Sequence, residues 1–155
     1  MRIRIKFRKN GVMRFVGHLD IMRYFQKAMR RADIDIAYSE GFSPHQIMSF
    51  AAPLGVGITS DGEYLDIETA GAVSTKDAVR RLNGAMAEGM EVVEYAALRQ
   101  DAKKAMTAVA AADYFVYFKK RDDFSQAEIE DMIGKYYRER ACIEVTKQTK
   151  KSEKT

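Results

Sequence analysis

Arg2-Ile3-Arg4-Ile5-Lys6-Phe7-Arg8 alternates charge and hydrocarbon without a slip. Successive side chains of a strand point to opposite faces. Ile3, Ile5 and Phe7 therefore share one face, and Arg2, Arg4, Lys6 and Arg8 share the other. Such a strand demands an apolar layer over one side and an answer to a row of cations on the other. Those two demands organise the reading of everything that follows.

The apolar layer comes next in the chain. Lys9-Asn10-Gly11 reads as a turn, and Arg14 to Ala32 as one amphipathic helix entered through a Gly-His turn. Leu19, Met22, Phe25 and Met29 recur at steps of three and four, with Ile21, Ala28 and Ala32 beside them. Arg23, Lys27, Arg30 and Arg31 fall on another side, which Arg14 and Lys9 are candidates to extend.

Charge is segregated along the chain. Residues 1–31 hold ten Lys/Arg and one acid, Asp20, whereas residues 32–75 hold seven acids and no Lys or Arg. A basic segment invites a nucleic-acid reading. The acidic one invites another, in which the two neutralise each other inside the fold. The remaining periodicities favour the second for the strand. Ile34–Tyr38 reads as a short strand and Ser39–His45 as a loop broken by Gly41 and Pro44. Ile47–Leu54 is a candidate extra strand. Tyr64–Glu68 alternates again, Ser74 or Thr75 caps a helix through Met86 that Gly89 stops, and Met90–Tyr95 is a strand.

With the Ile47 segment set aside, the order is strand, helix, strand, strand, helix, strand. The expected fold class is therefore α+β, a ferredoxin-like β-α-β-β-α-β domain. Its first and third strands are central neighbours, so Arg2, Arg4 and Lys6 should face Asp66 and Glu68, each pair contributing about 0.2–1 kcal/mol. An RNA-recognition sheet would need stacking aromatics on that face, and only Tyr64 points outward there. The outer side of the first helix is thus the better candidate surface.

The domain is expected over residues 1–98, followed by an Ala-rich linker over 99–112. An incomplete β-α-β unit follows over 113–147 and a polar, frayed tail over 148–155. In that unit Tyr114–Phe118 and Ala141–Val145 read as strands, and Ser125-Gln126-Ala127-Glu128 is a capping box opening a helix.

Several function classes are excluded or disfavoured. No apolar run approaches the roughly 20 residues of a membrane helix, so no membrane partner is expected. The charged N-terminus is not a secretory signal. Cys142 is the single cysteine, which excludes an internal disulfide and suits a cytoplasmic protein. One Cys and two His cannot supply a four-ligand zinc site or a four-cysteine cluster.

Residues 14–68 resemble a bacterial radical-SAM-associated domain of unknown function. The resemblance is carried by Phe15/His18/Leu19/Asp20, by Arg30/Arg31/Ala32, by Ser39 to His45, and by Gly62/Glu63/Tyr64/Asp66. Gln46-Ile47 stands where members often have Pro-Lys. Members usually continue past the point where this chain stops. The domain occurs alone or joined to a cobalamin-binding radical SAM region, and its own activity is not established. The three-cysteine radical SAM motif is absent here. The resemblance thus implies no cofactor on this chain, with any iron–sulfur cluster, S-adenosylmethionine or cobalamin on a radical SAM partner.

No catalytic constellation compels a reaction. His18 and Asp20 sit at the helix start, where a capping residue and a first-turn acid have structural work to do. They also form, with His45, the candidate set for a metal or for acid–base chemistry. Glu40, Phe42, Ser43 and Pro44 belong to a loop with binding chemistry, though a structural turn explains it almost as well. Arg23, Lys27, Arg30 and Arg31 are either a solvated face or phosphate contacts to an RNA. The leading expectation is an accessory or substrate-recognition domain presenting an RNA. The alternatives are an RNA-processing enzyme using His18 and His45, by fold analogy, and a protein-interaction module.

Overall fold

The computed structural model describes residues 1–116, 124–139, 147–148 and 153–154. Contacts divide the chain into two units, Met1–Ala112 and Asp113–Thr155.

In the first unit, β1 (Arg2–Lys9) leads through a 3-10 turn (Gly11–Phe15) into α1 (His18–Arg31). β2 (Met48–Phe50), β3 (Ser60–Glu68), α2 (Thr75–Ala85), β4 (Met90–Ala97) and the short α3 (Ala105–Ala108) follow. The four strands form one antiparallel sheet in the order β2-β3-β1-β4, the arrangement of the double split unit. β1 and β3 are central, with Arg4 directly opposite Asp66 and Ile5 opposite Leu65. Ile3, Ile5, Phe7, Leu65 and Ile67 are all buried against Ile21, Phe25 and Met29 of α1 and Ala78 and Leu82 of α2. Phe25 is the hub, its ring 4.7 Å from Phe7 and 5.6 Å from Phe50.

The edge strand is not the expected one. Ile34–Tyr38 makes only isolated bridges, Ile36 to Thr69 and Tyr38 to Gln46. Met48–Phe50, from the segment set aside above, takes the free edge of β3 by pairing with Leu65–Ile67. Ile34–Tyr38 is left with its end, where the Ala37 N–H donates to Glu68 O and the Ile47 N–H donates to Ala37 O. Ile34 and Ile36 still bury their side chains there.

The row of cations is answered at two positions rather than by a full ladder, since Arg8 pairs with Glu91 opposite it on β4, Nη1 3.1 Å from Oε2. Arg4 forks onto Asp66, with Nε 2.7 Å from Oδ1 and Nη2 3.0 Å from Oδ2. Asp66 Oδ2 also accepts the Ala105 N–H at 2.7 Å. The Arg4 guanidinium, bonded to that carboxylate, is held above its ordinary pKa. Arg2 donates instead to Ala102 O, and Lys6 lies over the Tyr64 ring. Residues 99–112, read as a linker from sequence, belong to the first unit. They cross this face with Ala105 buried.

Two turns fix the packing geometry. Gly89, at φ +89°, lies where a Cβ would meet Asn10 O at 2.6 Å, so only glycine allows β4 to start this close to the end of β1. It follows α2 rather than ending it, since the helix stops at Ala85 with Met86 as its cap. At the other end of α1, Arg81 of α2 donates Nε to Ala32 O at 2.8 Å. Its Nη2 reaches the carbonyl and carboxylate of Asp33, a residue in the left-handed region at φ 50°.

In the second unit, α4 (Gln126–Arg138) carries the expected capping box. The Ser125 N–H donates to Glu128 Oε2 at 2.7 Å, and the Glu128 N–H donates back to Ser125 Oγ. That bonding holds the Glu128 carboxyl below its ordinary pKa. β5 (Lys147–Gln148) pairs with β6 (Glu153–Lys154) at and beyond the start of the stretch read as a frayed tail. Tyr114–Val116 adopt no regular structure. The remainder of that expected strand, all of Ala141–Val145 and Cys142 lie outside the described residues. Among the described residues no helix is long and apolar enough to cross a membrane.

Candidate nucleic-acid interface

α1 buries Ile21, Phe25, Ala28 and Met29 and exposes Arg23, Lys27, Arg30 and Arg31. At about 100° per residue these four cations fall within one arc of roughly 100°. Arg23 pairs with Asp20 at 3.3 Å, both exposed, an arrangement worth only a few tenths of a kcal/mol. Among the described residues, Lys27, Arg30 and Arg31 have no acidic partner within 4 Å. Leu19 lies on this outer side too, 63% exposed, not in the core where its spacing suggested. Neither proposed extension joins the arc. Arg14 stacks on Phe15 at 4.7 Å, and Lys9 is buried.

The Ser39–His45 loop rises beside this arc. The Ser39 N–H donates to His45 O at 2.8 Å, and the His45 N–H donates back to Ser39 Oγ at 3.1 Å. His45 Nδ1 lies 2.8 Å from the same hydroxyl. Below that closure Gln46 is buried, and its Nε2 donates to Gln26 O on α1 at 3.2 Å. Gly41 takes the turn at φ +104°. Glu40, Phe42, Ser43 and Pro44 are all exposed. The loop is therefore tied to the helix at its base and open at its tip.

His18 is elsewhere. It occupies the first turn of α1 with its ring edge-on to Phe50 at 5.3 Å. It lines a cavity of about 10 Å³ with Phe7, Lys9, Ile21, Phe50 and Glu63 among its neighbours. That is room for roughly one water and not for a substrate. Gly17, not His18, is the N-cap, and no side chain bonds the helix start; Asp20 sits exposed in the first turn. His18 packs on Phe50 while His45 is bonded within its own loop. Among the described residues no group of three or more His, Cys, Asp or Glu is placed to hold a metal.

Lys9 is a polar residue the sequence reading left in a turn. It is 1% exposed and donates Nζ to Val16 O at 2.8 Å. Burial lowers its pKa, opposed by the nearby Glu63 carboxylate. The alternation itself could have found it, since Ile3, Ile5, Phe7 and Lys9 share parity. Gln46, the tie between loop and helix, carried no pattern that singled it out.

A model of an uncharacterised protein family conserved in bacteria, DUF2344, matches residues 2–155. The chain belongs to that family. No curated protein matches it. Membership in DUF2344 spans both units and brings no assigned activity, so the reading of the surface rests on its own geometry.

Proposed function

We propose that this DUF2344 chain is a non-catalytic recognition module that holds an RNA on the outer side of α1 and presents it to a radical SAM protein. The observation that carries the RNA half is the arc of Arg23, Lys27, Arg30 and Arg31. Several of the fold's acids are paired elsewhere, Asp66 on Arg4, Asp61 and Glu91 on Arg8, and Asp33 on Arg81, and the single acid on α1, Asp20, is paired with Arg23. What carries no acidic partner on α1 among the described residues, Lys27, Arg30 and Arg31, is cationic, exposed and fixed on a packed helix, which suits phosphate contacts. The partner half is supported by the likeness of residues 14–68 to radical-SAM-associated domains. Any cluster, S-adenosylmethionine or cobalamin then belongs to the partner.

The RNA half is tested by binding across a salt series. Three to four phosphate contacts on a single strand give a slope of log K against log salt of about −2 to −3. Reversing Arg23, Lys27 and Arg30 together to Glu should abolish binding while the circular-dichroism spectrum and melting temperature stay unchanged. Salt-independent binding would overturn the reading. RNA cleavage lost in His18→Ala or His45→Ala would replace it with the enzymatic one. The partner half is tested by tagging this chain in its own cells and looking for a radical SAM protein among what co-purifies; partner capture without RNA binding would leave a protein-interaction module.

A further inference from the structure

We infer that the RNA is held as a single strand, with an unpaired base stacked on Phe42 and its phosphates on α1; this rests on the RNA reading above. Phe42 is fully exposed at the tip of its loop, touching no core residue. The loop that carries it is bonded shut by Ser39 and His45 and fastened to α1 through Gln46 and Gln26. A ring displayed on a fastened loop is pre-organised, so little freedom is lost when a ligand covers it.

The fastening also sets the spacing. Gln26 precedes Arg30 by one helical turn and follows Arg23 by three residues, so the loop base lies against the arc. Phe42 is four residues from Gln46, a reach of at most about 14 Å. An aromatic face within that reach of the loop base and a track of cations beside the base make up the combination that binds single strands. A duplex keeps its bases stacked on one another and offers such a ring nothing to cover it. The open face of the sheet gives no rival platform, because the Tyr64 ring already carries Lys6.

The chain contains no tryptophan, so Phe42→Trp installs a unique fluorophore on the loop tip. We expect an unpaired RNA oligonucleotide to quench that fluorescence on binding and a fully paired, blunt-ended duplex of matched composition to leave it unchanged. Phe42→Ala should weaken the unpaired strand by about 5- to 150-fold and leave duplex binding as it was. Phe42→Tyr should restore most of the loss. RNA binding with no quench and no effect of Phe42→Ala would overturn the stacking inference and leave the phosphate surface standing. No binding of either RNA to the unaltered chain at low salt would overturn both.

Discussion

Beneath α1 and α2 the sheet presents Ile3, Ile5, Phe7, Leu65 and Ile67, all almost sealed from solvent. On the opposite face the same strands present Arg4, Lys6, Tyr64 and Asp66, with the chain from Ala102 to Ala105 bonded across them. The first face is held by area, spread over many side chains. The second is held by direction, concentrated in a few bonds that converge on Asp66. A face held by area loses stability in proportion to what is cut away. A face held by direction should give way at one residue and hardly notice its neighbours.

The largest expected effect is on the first face. Phe25→Ala removes the ring at the centre of the phenylalanine cluster and should cost about 3–5 kcal/mol in urea unfolding. On the second face, Asp66→Ala leaves Arg4 only its bond to Lys103 O and strands the Ala105 N–H, and should cost about 1–3 kcal/mol. It should also speed tryptic cleavage at Arg99, Lys103 and Lys104. Glu68→Ala, on the same strand without an ion pair among the described residues, should do neither. If Asp66→Ala proves costlier than Phe25→Ala, the contrast between the faces is inverted.

A smaller effect sharpens the first face further. Lys9 is its one buried cation among the described residues, and burial holds its pKa below the ordinary 10.5. The unfolded chain therefore binds more protons in the window beneath that value. Stability should rise as alkaline pH approaches 10.5. Tyr95 acts with the opposite sign, because burial raises its pKa above the ordinary 10.0 and stability falls once the unfolded phenol ionises. Lys9→Met should flatten the rise on the near side of Tyr95's range. An unchanged pH profile in Lys9→Met would show that the ammonium is not sealed as described.

The smallest effect lies outside the first unit. α4 has an intact capping box and no buried residue. Ser125→Ala should lower helicity in the second unit, read by backbone amide exchange, and leave the unfolding of the first unit unmoved. A shift of the first unit's transition would mean that the two are coupled.

The sequence exposed some of this plainly and concealed the rest for identifiable reasons. Strict alternation in β1 and β3 put Arg4 and Asp66 on one face of neighbouring strands, because parity leaves a strand two faces to choose between, and the pairing itself supplies the register. Leu19 misled because steps of three drift by about 60° each on a helix, so it ends roughly 120° from Phe25. The edge strand was ambiguous because Ile34–Tyr38 and Met48–Phe50 are both short and apolar. Only tertiary pairing with β3 decides between them. The candidate surface was half legible. The cations announce themselves at helical spacing. That the Phe42 loop is fastened beside them depends on Gln46, twenty residues from the carbonyl it meets, and no local pattern reports that bond.

Arg81 has a consequence for how α1 meets anything outside the protein. By gripping the carbonyls of Ala32 and Asp33, just past the end of the helix, from a neighbouring element, it fastens that end of α1 to α2. Together with the burial of Ile21, Phe25 and Met29, that fastening sets which way the outward residues face before an encounter begins. Arg81→Ala should loosen that setting, scattering the bearing of the four charges without removing any of them.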